Sequence, residues 1–466
     1  MDDALRYASA ADLRRWYASG QLSPVEYTRA TLDLLAAEQP ALHAFVTVTA
    51  DLALDQAARA ERLIARDGEQ AFAARPLLGI PVSVKDLTPV AGVRTTRGSL
   101  RSADWVPDTD APAVARLRAG GAVLLGKTAT SEYGWSAGTV SRVAPPVANP
   151  WDPRRSAGGS SGGAAAATAA GIGVAALGTD GAGSIRIPAS FCGVVGFKPT
   201  FGLVPYVPVS PEALSHAGPL ARDVATAELV TSVIAGPHPA DPLSAPPPAM
   251  AGPAPGGRPV RVGWLRWPGP VTEADELARA AAEEAGQLTE LDVPFDDPYP
   301  HLVTILAAFD AAGQRPADDE LSDRARCQVT AHGRSLSAAD LASALTARAL
   351  LTQRLNAVME RFDLLAMATV SAEPFAADQW RPDPGGPPLD WLACCRAAYP
   401  FNLTGQPAIS VPAGFTASGL PAGLQLAGRR HEDAVVLAAA RRVERARPWL
   451  PAYPRKDQRE CLTTDT

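Results

Sequence analysis

From Pro76 onward, short apolar runs alternate with helical ones: Leu77–Val84 (LLGIPVSV), then Ala111–Gly120 (APAVARLRAG), then Ala122–Thr128 (AVLLGKT). Strand, helix, strand in that order leaves few folds open, because strands joined by crossover helices lie in a sheet covered on its faces. The pattern predicts an α/β protein with a parallel or mixed sheet covered by helices. The first seventy residues read as helical, and Ser23-Pro24-Val25-Glu26 has the spacing of a capping box with Pro at the first helical position. Residues 1–70 are expected to form a helical preface packed on the core.

Residues 71–235 carry the core of the domain. A Pro-rich run over 236–259 (GPHPADPLSAPPPAMAGPAPGGRP) interrupts the periodicity and reads as an exposed connector. Residues 260–466 are expected to complete the same domain with a variable, substrate-facing region. That part contains a strand (PVRVGWL), helices including Ser337 to Phe362, the strand DLLAMATV, a Gly/Pro-rich stretch from Pro400 to Gly428, and an Arg-rich helix from Glu432. With 466 residues, 47% of them hydrophobic, the chain can bury a core of that size.

Several function classes are excluded by charge and composition. A net charge of -6 gives no basic footprint for nucleic acid or an anionic membrane. The N-terminal MDDALRYASAADLRR places acids and Arg where a secretory signal needs an apolar run, so a cytoplasmic protein is expected. Gly162 to Gly178 is too short and too weakly apolar to span a bilayer. Cys192, Cys327, Cys394, Cys395 and Cys461 form no CxxC or Cys/His cluster and read as reduced thiols; the six histidines form no ligand pair, so no metal site is expected.

Three motifs mislead. Gly121 to Thr128 fits GxxxxGK[ST], but its Ala-Val-Leu-Leu centre is a strand and not a phosphate-cradling turn. Gly171-Ile-Gly173-Val-Ala-Ala176 follows a helix instead of opening one, the reverse of a dinucleotide fingerprint. Gly158-Gly-Ser160-Ser-Gly162 satisfies GxSxG, yet a loop precedes it where a nucleophile elbow needs a strand. His216 is the histidine nearest this region, with no acidic orienter at recognisable spacing, and reads as structural.

The chemistry is carried by a combination. Only four of the 43 basic residues are lysines, Lys85, Lys127, Lys198 and Lys456, and a buried lysine, unlike arginine, can shed its proton and act as a base. Lys85 ends the apolar strand Ile80-Pro-Val-Ser-Val. A Gly-flanked serine pair, Ser160 and Ser161, opens a helix, and Ser184 follows Ser160 by 24 residues in Gly178-Thr-Asp-Gly-Ala-Gly-Ser184-Ile-Arg-Ile-Pro. These motifs, with FCGVVGFKPT and Pro400-Phe-Asn-Leu-Thr-Gly-Gln-Pro-Ala-Ile-Ser-Val-Pro412, resemble the amidase signature family of serine hydrolases. The resemblance runs from about Leu77 to about Val230 and returns at Pro400, and it implies a single large mixed-sheet α/β/α domain with a helical N-terminal preface.

The resemblance implies that Ser184 is the acylated nucleophile, Ser160 the bridging serine and Lys85 the terminal base. Independently, a serine nucleophile needs an adjacent base, and a lysine at the end of an apolar strand is placed to lose its proton. Asp86 falls on the opposite side of the extended chain and need not hold the Lys85 charge. The small residues Gly181, Ala182 and Gly183, with Ser184, offer consecutive amides for an oxyanion hole. By resemblance, Asp180 and Arg186 brace that loop as a buried pair and Ser161 orients Lys85; Ala182 stands where the family often has Gly. Tyr133 and Trp135 are candidate acyl-pocket walls, and recognition is expected from loops near Trp105 and Trp135 and from the helical region after the connector.

The implied activity is an amidohydrolase cleaving a linear carboxamide, with a small-molecule amide as partner and no cofactor. Two alternatives share the machinery: the glutaminase component of a tRNA-dependent amidotransferase, and an acyl-transferring, amide-forming relative. Such glutaminase components usually carry an acid five residues before the proline of Pro400-Phe-Asn-Leu, where this chain has Cys395. A homodimer is common among similar proteins.

Overall fold

The computed structural model describes residues 1–246 and 258–449. Residues 247–257 of the Pro-rich run, and Cys461 and Lys456, lie outside the described residues. Eleven described strands form one sheet: β1 (Phe45–Val48), β2 (Pro81–Lys85), β3 (Val123–Thr128), β4 (Ala175–Asp180), β5 (Val195–Lys198), β6 (His216–Ala221), β7 (Arg261–Arg266), β8 (Gln287–Asp292), β9 (Leu364–Ala368), β10 (Ala408–Phe415) and β11 (Pro421–Ala427). Their order is β1-β3-β2-β4-β6-β5-β10-β11-β9-β7-β8. The β3-β2-β4 and β9-β7-β8 pairings are parallel and the others antiparallel, so the sheet is mixed.

Alternation along single strands accounts for the layers. On β9, Leu364, Ala366 and Ala368 join one apolar core while Leu365 and Met367 join another. Because successive side chains leave opposite faces of a strand, the two cores lie on the two sides of the sheet. Helices cover both, which is why β2, β3 and β4 are buried along their whole length.

Locally the sequence signals hold at many points. Ser23 Oγ accepts from the Glu26 amide at 3.1 Å and Glu26 accepts from the Ser23 amide at 2.8 Å, which starts the Pro24–Leu42 helix. The GxxxxGK[ST] match is strand β3. One expectation needs correction. The preface is not wholly helical, because Phe45-Val-Thr-Val, rich in β-branched side chains, pairs with β3 as the edge strand β1. The Gly/Pro-rich stretch after Pro400 contains the hairpin β10–β11, whose strands sit well inside the sheet. Strands before and after the connector therefore share one sheet, since β10 pairs with both β5 and β11.

Candidate active site

Strands β2 and β4 run parallel and end together, bringing Lys85 and Thr179 side by side. Lys85 is fully buried. Its Nζ lies 2.8 Å from Ser160 Oγ, 2.9 Å from Thr179 Oγ1 and 3.3 Å from the Thr179 carbonyl. Burial pushes its pKa well below the ordinary lysine value, and the negative charge of Asp180 opposes that only in part. Asp86 faces the other way, as strand geometry requires, and pairs with Lys127 at 3.3 Å. Burial lowers the Lys127 pKa to about 8 while Asp86 works to raise it.

Ser160 and Ser161 stand at the entrance to the Gly162–Ala169 helix, and the Gly159–Ser160 peptide is cis. A Cβ on Gly159 would lie 2.6 Å from the Gly138 backbone, so the serine loop is seated against a neighbouring chain segment that admits no side chain. Ser161 differs from expectation. Its hydroxyl donates to the Thr179 carbonyl at 3.1 Å and lies 3.4 Å from the Thr179 amide, so it reaches Lys85 only through Thr179. The Ser161 amide donates to the Ser184 carbonyl at 3.2 Å and ties the two serine loops together.

The turn from β4 into the Arg186–Cys192 helix carries Gly181 to Ser184. Asp180 and Arg186, both completely buried, form a two-pronged pair at 2.9 and 3.0 Å. Burial alone would raise the Asp180 pKa, but Arg186, Lys198 and the Asn402 amide outweigh it and hold the carboxyl well below the usual range. Asp180 Oδ1 also accepts the Gly183 amide at 2.7 Å. Of the four amides expected to face an oxyanion, that of Gly183 is thus committed to the carboxylate. Arg186 further donates to Asn402 Oδ1, Gln425 Oε1 and the Ala398 carbonyl, at 2.6, 2.8 and 2.9 Å.

Above these residues opens a cavity of about 370 Å³ whose wall includes Ser160, Ser184, Gly181, Ala182, Tyr133 and Trp135. Leu306, Phe309 and Val329, from the Tyr299–Gly313 and Arg324–Ser335 helices beyond the connector, close the opposite side. Trp135 stacks on Trp380 with ring centroids 4.9 Å apart. Trp105 is not part of this wall. His216 is buried away from both serines, with Nδ1 2.7 Å from the Leu214 carbonyl and Nε2 3.2 Å from Lys198 Nζ; burial and the Lys198 charge lower its pKa. Among the described residues no three His, Cys, Asp or Glu side chains are grouped to hold a metal, and no helix is long and apolar enough to cross a membrane.

Thr179, Asn402 and Gln425 join the site without having been singled out from sequence. Thr179 and Asn402 lie inside motifs that draw attention to their neighbours, and Gln425 lies in a strand hidden among Gly and Pro.

The family model described as Amidase matches residues 26–437. The chain belongs to the amidase signature family. Its relatives in this family include an acylamidase of Rhodococcus erythropolis, 36% identical over 97% of this chain and 98% of the relative. A glutamyl-tRNA(Gln) amidotransferase subunit of Moorella thermoacetica is 34% identical over 97% of this chain and 99% of the relative. Among solved structures, a bacterial aryl acylamidase superposes with a TM-score of 0.84 at 29% identity, covering 96% of this chain and 98% of that one. A 6-aminohexanoate cyclic dimer hydrolase gives 0.83 at 26% identity, covering 97% and 99%. This amidase-family chain is accordingly a hydrolase acting on amides.

Proposed function

We propose that the chain hydrolyses a linear carboxamide through an acyl-Ser184 intermediate, with Ser160 as proton relay and Lys85 as terminal base. The observation that carries this reading is the 2.8 Å contact between a fully buried lysine and a serine that shares its cavity with Ser184. A neutral lysine has one lone pair and two N–H groups. Thr179 supplies an acceptor for each N–H, Oγ1 and the carbonyl, which leaves the lone pair for the Ser160 proton.

The sequence of events follows from that arrangement. Ser184 Oγ attacks the amide carbonyl, its proton passes to Ser160, and the Ser160 proton passes to Lys85. Negative charge on the former carbonyl oxygen is met by the Gly181, Ala182 and Ser184 amides, with Gly183 holding the loop to Asp180. Lys85 returns the proton through Ser160 to the departing nitrogen, and water then cleaves the ester by the same relay. The substrate is a small amide, and no cofactor takes part.

The test is active-site labelling with a fluorophosphonate, followed by peptide mapping and a screen of aliphatic, aromatic and peptide amides. Label on Ser184, lost in Ser184→Ala together with hydrolysis, is expected. Label on Ser160 in an active Ser184→Ala protein would overturn the assignment. The amidotransferase relatives make glutaminase activity the alternative to measure. Cys395, buried beside Cys394, stands where an acid is expected, so the isolated chain should show little preference for glutamine. Glutamine hydrolysis that appears only with partner proteins and tRNA would reverse that choice.

A further inference from the structure

A second cavity of about 170 Å³ lies beside the catalytic one and shares three of its walls, Leu87, Tyr133 and Tyr206. Arg97 lines it. The backbone of this arginine is fixed to the active site, because its amide donates to the Asp86 carbonyl at 3.0 Å and its carbonyl accepts the Tyr133 amide at 2.8 Å. Its guanidinium stacks over Trp105, 4.3 Å from the ring centroid. No described residue supplies a hydrogen-bond acceptor or a carboxylate to that guanidinium. The nearby Asp86 carboxylate is engaged by Lys127 and Thr96.

A partly buried guanidinium without a hydrogen-bond or ion-pair partner among the described residues differs from the cation that faces the catalytic cavity. Arg326 there is bound to Asp310 and Gln314. In the catalytic cavity itself the one acid without a cationic partner among the described residues is Glu212, whose Oε1 accepts from Ser210 and from Ser215 at 3.1 Å. An anionic group is therefore repelled near Glu212 and attracted beyond Tyr133 and Tyr206, at Arg97. Planar, forked donors stacked on an aromatic ring suit a planar, two-oxygen acceptor.

From this geometry we infer that Arg97 binds a carboxylate, and that the natural substrate is an amide carrying a carboxylate on the part that enters the second cavity. This rests on the amidohydrolase reading for the reaction, though not for the binding. Trp105 then has a recognition role through Arg97 instead of as a cavity wall.

Binding is measured on Ser184→Ala, which separates recognition from turnover. The probes are succinamate, glutaramate and adipamate, each against its uncharged diamide, in calorimetric titrations. At least one half-amide is expected to bind 10-fold or more tightly than its diamide. Arg97→Gln, made in the same background, should bring that ratio to about 1, and Arg97→Lys should restore part of it. Diamides binding as well as every acid, or a preference that survives Arg97→Gln, would overturn the inference. In the protein with Ser184 intact, kcat/KM for the same pairs should follow the binding ratio, through KM. If the binding preference holds while no amide of either kind is hydrolysed, the carboxylate site stands and the proposed reaction falls.

Discussion

A lysine that is to accept a proton must arrive at neutral pH without one. The unperturbed group titrates at about 10.4, and at Lys85 burial supplies the downward shift. The base form dominates above the lowered pKa, so kcat/KM should rise with pH along a limb lying well below 10.4 and then level off. Lys85→Arg should lose at least about 10²–10⁴-fold, the usual scale for a general base, because guanidinium keeps its proton. Near-native hydrolysis with an unchanged profile would discard the Lys-Ser-Ser assignment. The same shift has a thermodynamic sign. Between the folded and unfolded pKa values the unfolded chain binds a proton that the native state does not, so stability from this residue is lowest at low pH and grows as pH rises toward about 10.4. Urea denaturation at several pH values should show wild type gaining on Lys85→Met as pH rises from neutral. The scarcity of lysine made Lys85 legible in the sequence. The Gly183 amide was not, because sequence gives the count of amides in a loop and not their directions, and here Asp180 captures one.

At the scale of elements, the turn between β4 and the Arg186–Cys192 helix is held from the far half of the chain. Asn402 and Gln425 bind Arg186, and Asn402 Nδ2 also donates to Asp180 Oδ1 at 2.8 Å. Removing Arg186 leaves a buried carboxylate uncompensated, at a cost of about 3–5 kcal/mol. Arg186→Met should lower the urea midpoint accordingly. Arg266→Met, at an exposed pair with Glu290 and Asp292, should change the unfolding free energy by no more than about 1 kcal/mol. Equal effects would show that the Asp180 network does not brace the turn. Elements with continuous apolar runs, such as β3, β7 and β9, could be read directly. The hairpin β10–β11 could not, since Pro412, Gly414, Pro421 and Gly423 mimic a loop. At Gly423 the reason is packing: a Cβ would lie 2.6 Å from Ser190 Oγ. The strand β1 was hidden by its brevity between two long helices.

Across the whole molecule, one sheet carries Lys85 on β2 and the Arg186-binding Gln425 on β11, so the site is assembled from distant parts of the sequence. The resemblance to a family placed the serines and lysine in advance. It was silent on Arg97, whose setting depends on how a loop lies against β2. The large sheet also has a consequence for handling the protein. Lys85, Lys127 and Lys198 are each no more than 1% exposed, and Lys456 stands ten residues from the end of the chain. An amine-selective acylating reagent applied to the folded protein should leave those three unmodified in a peptide map, and modify them once the chain is unfolded.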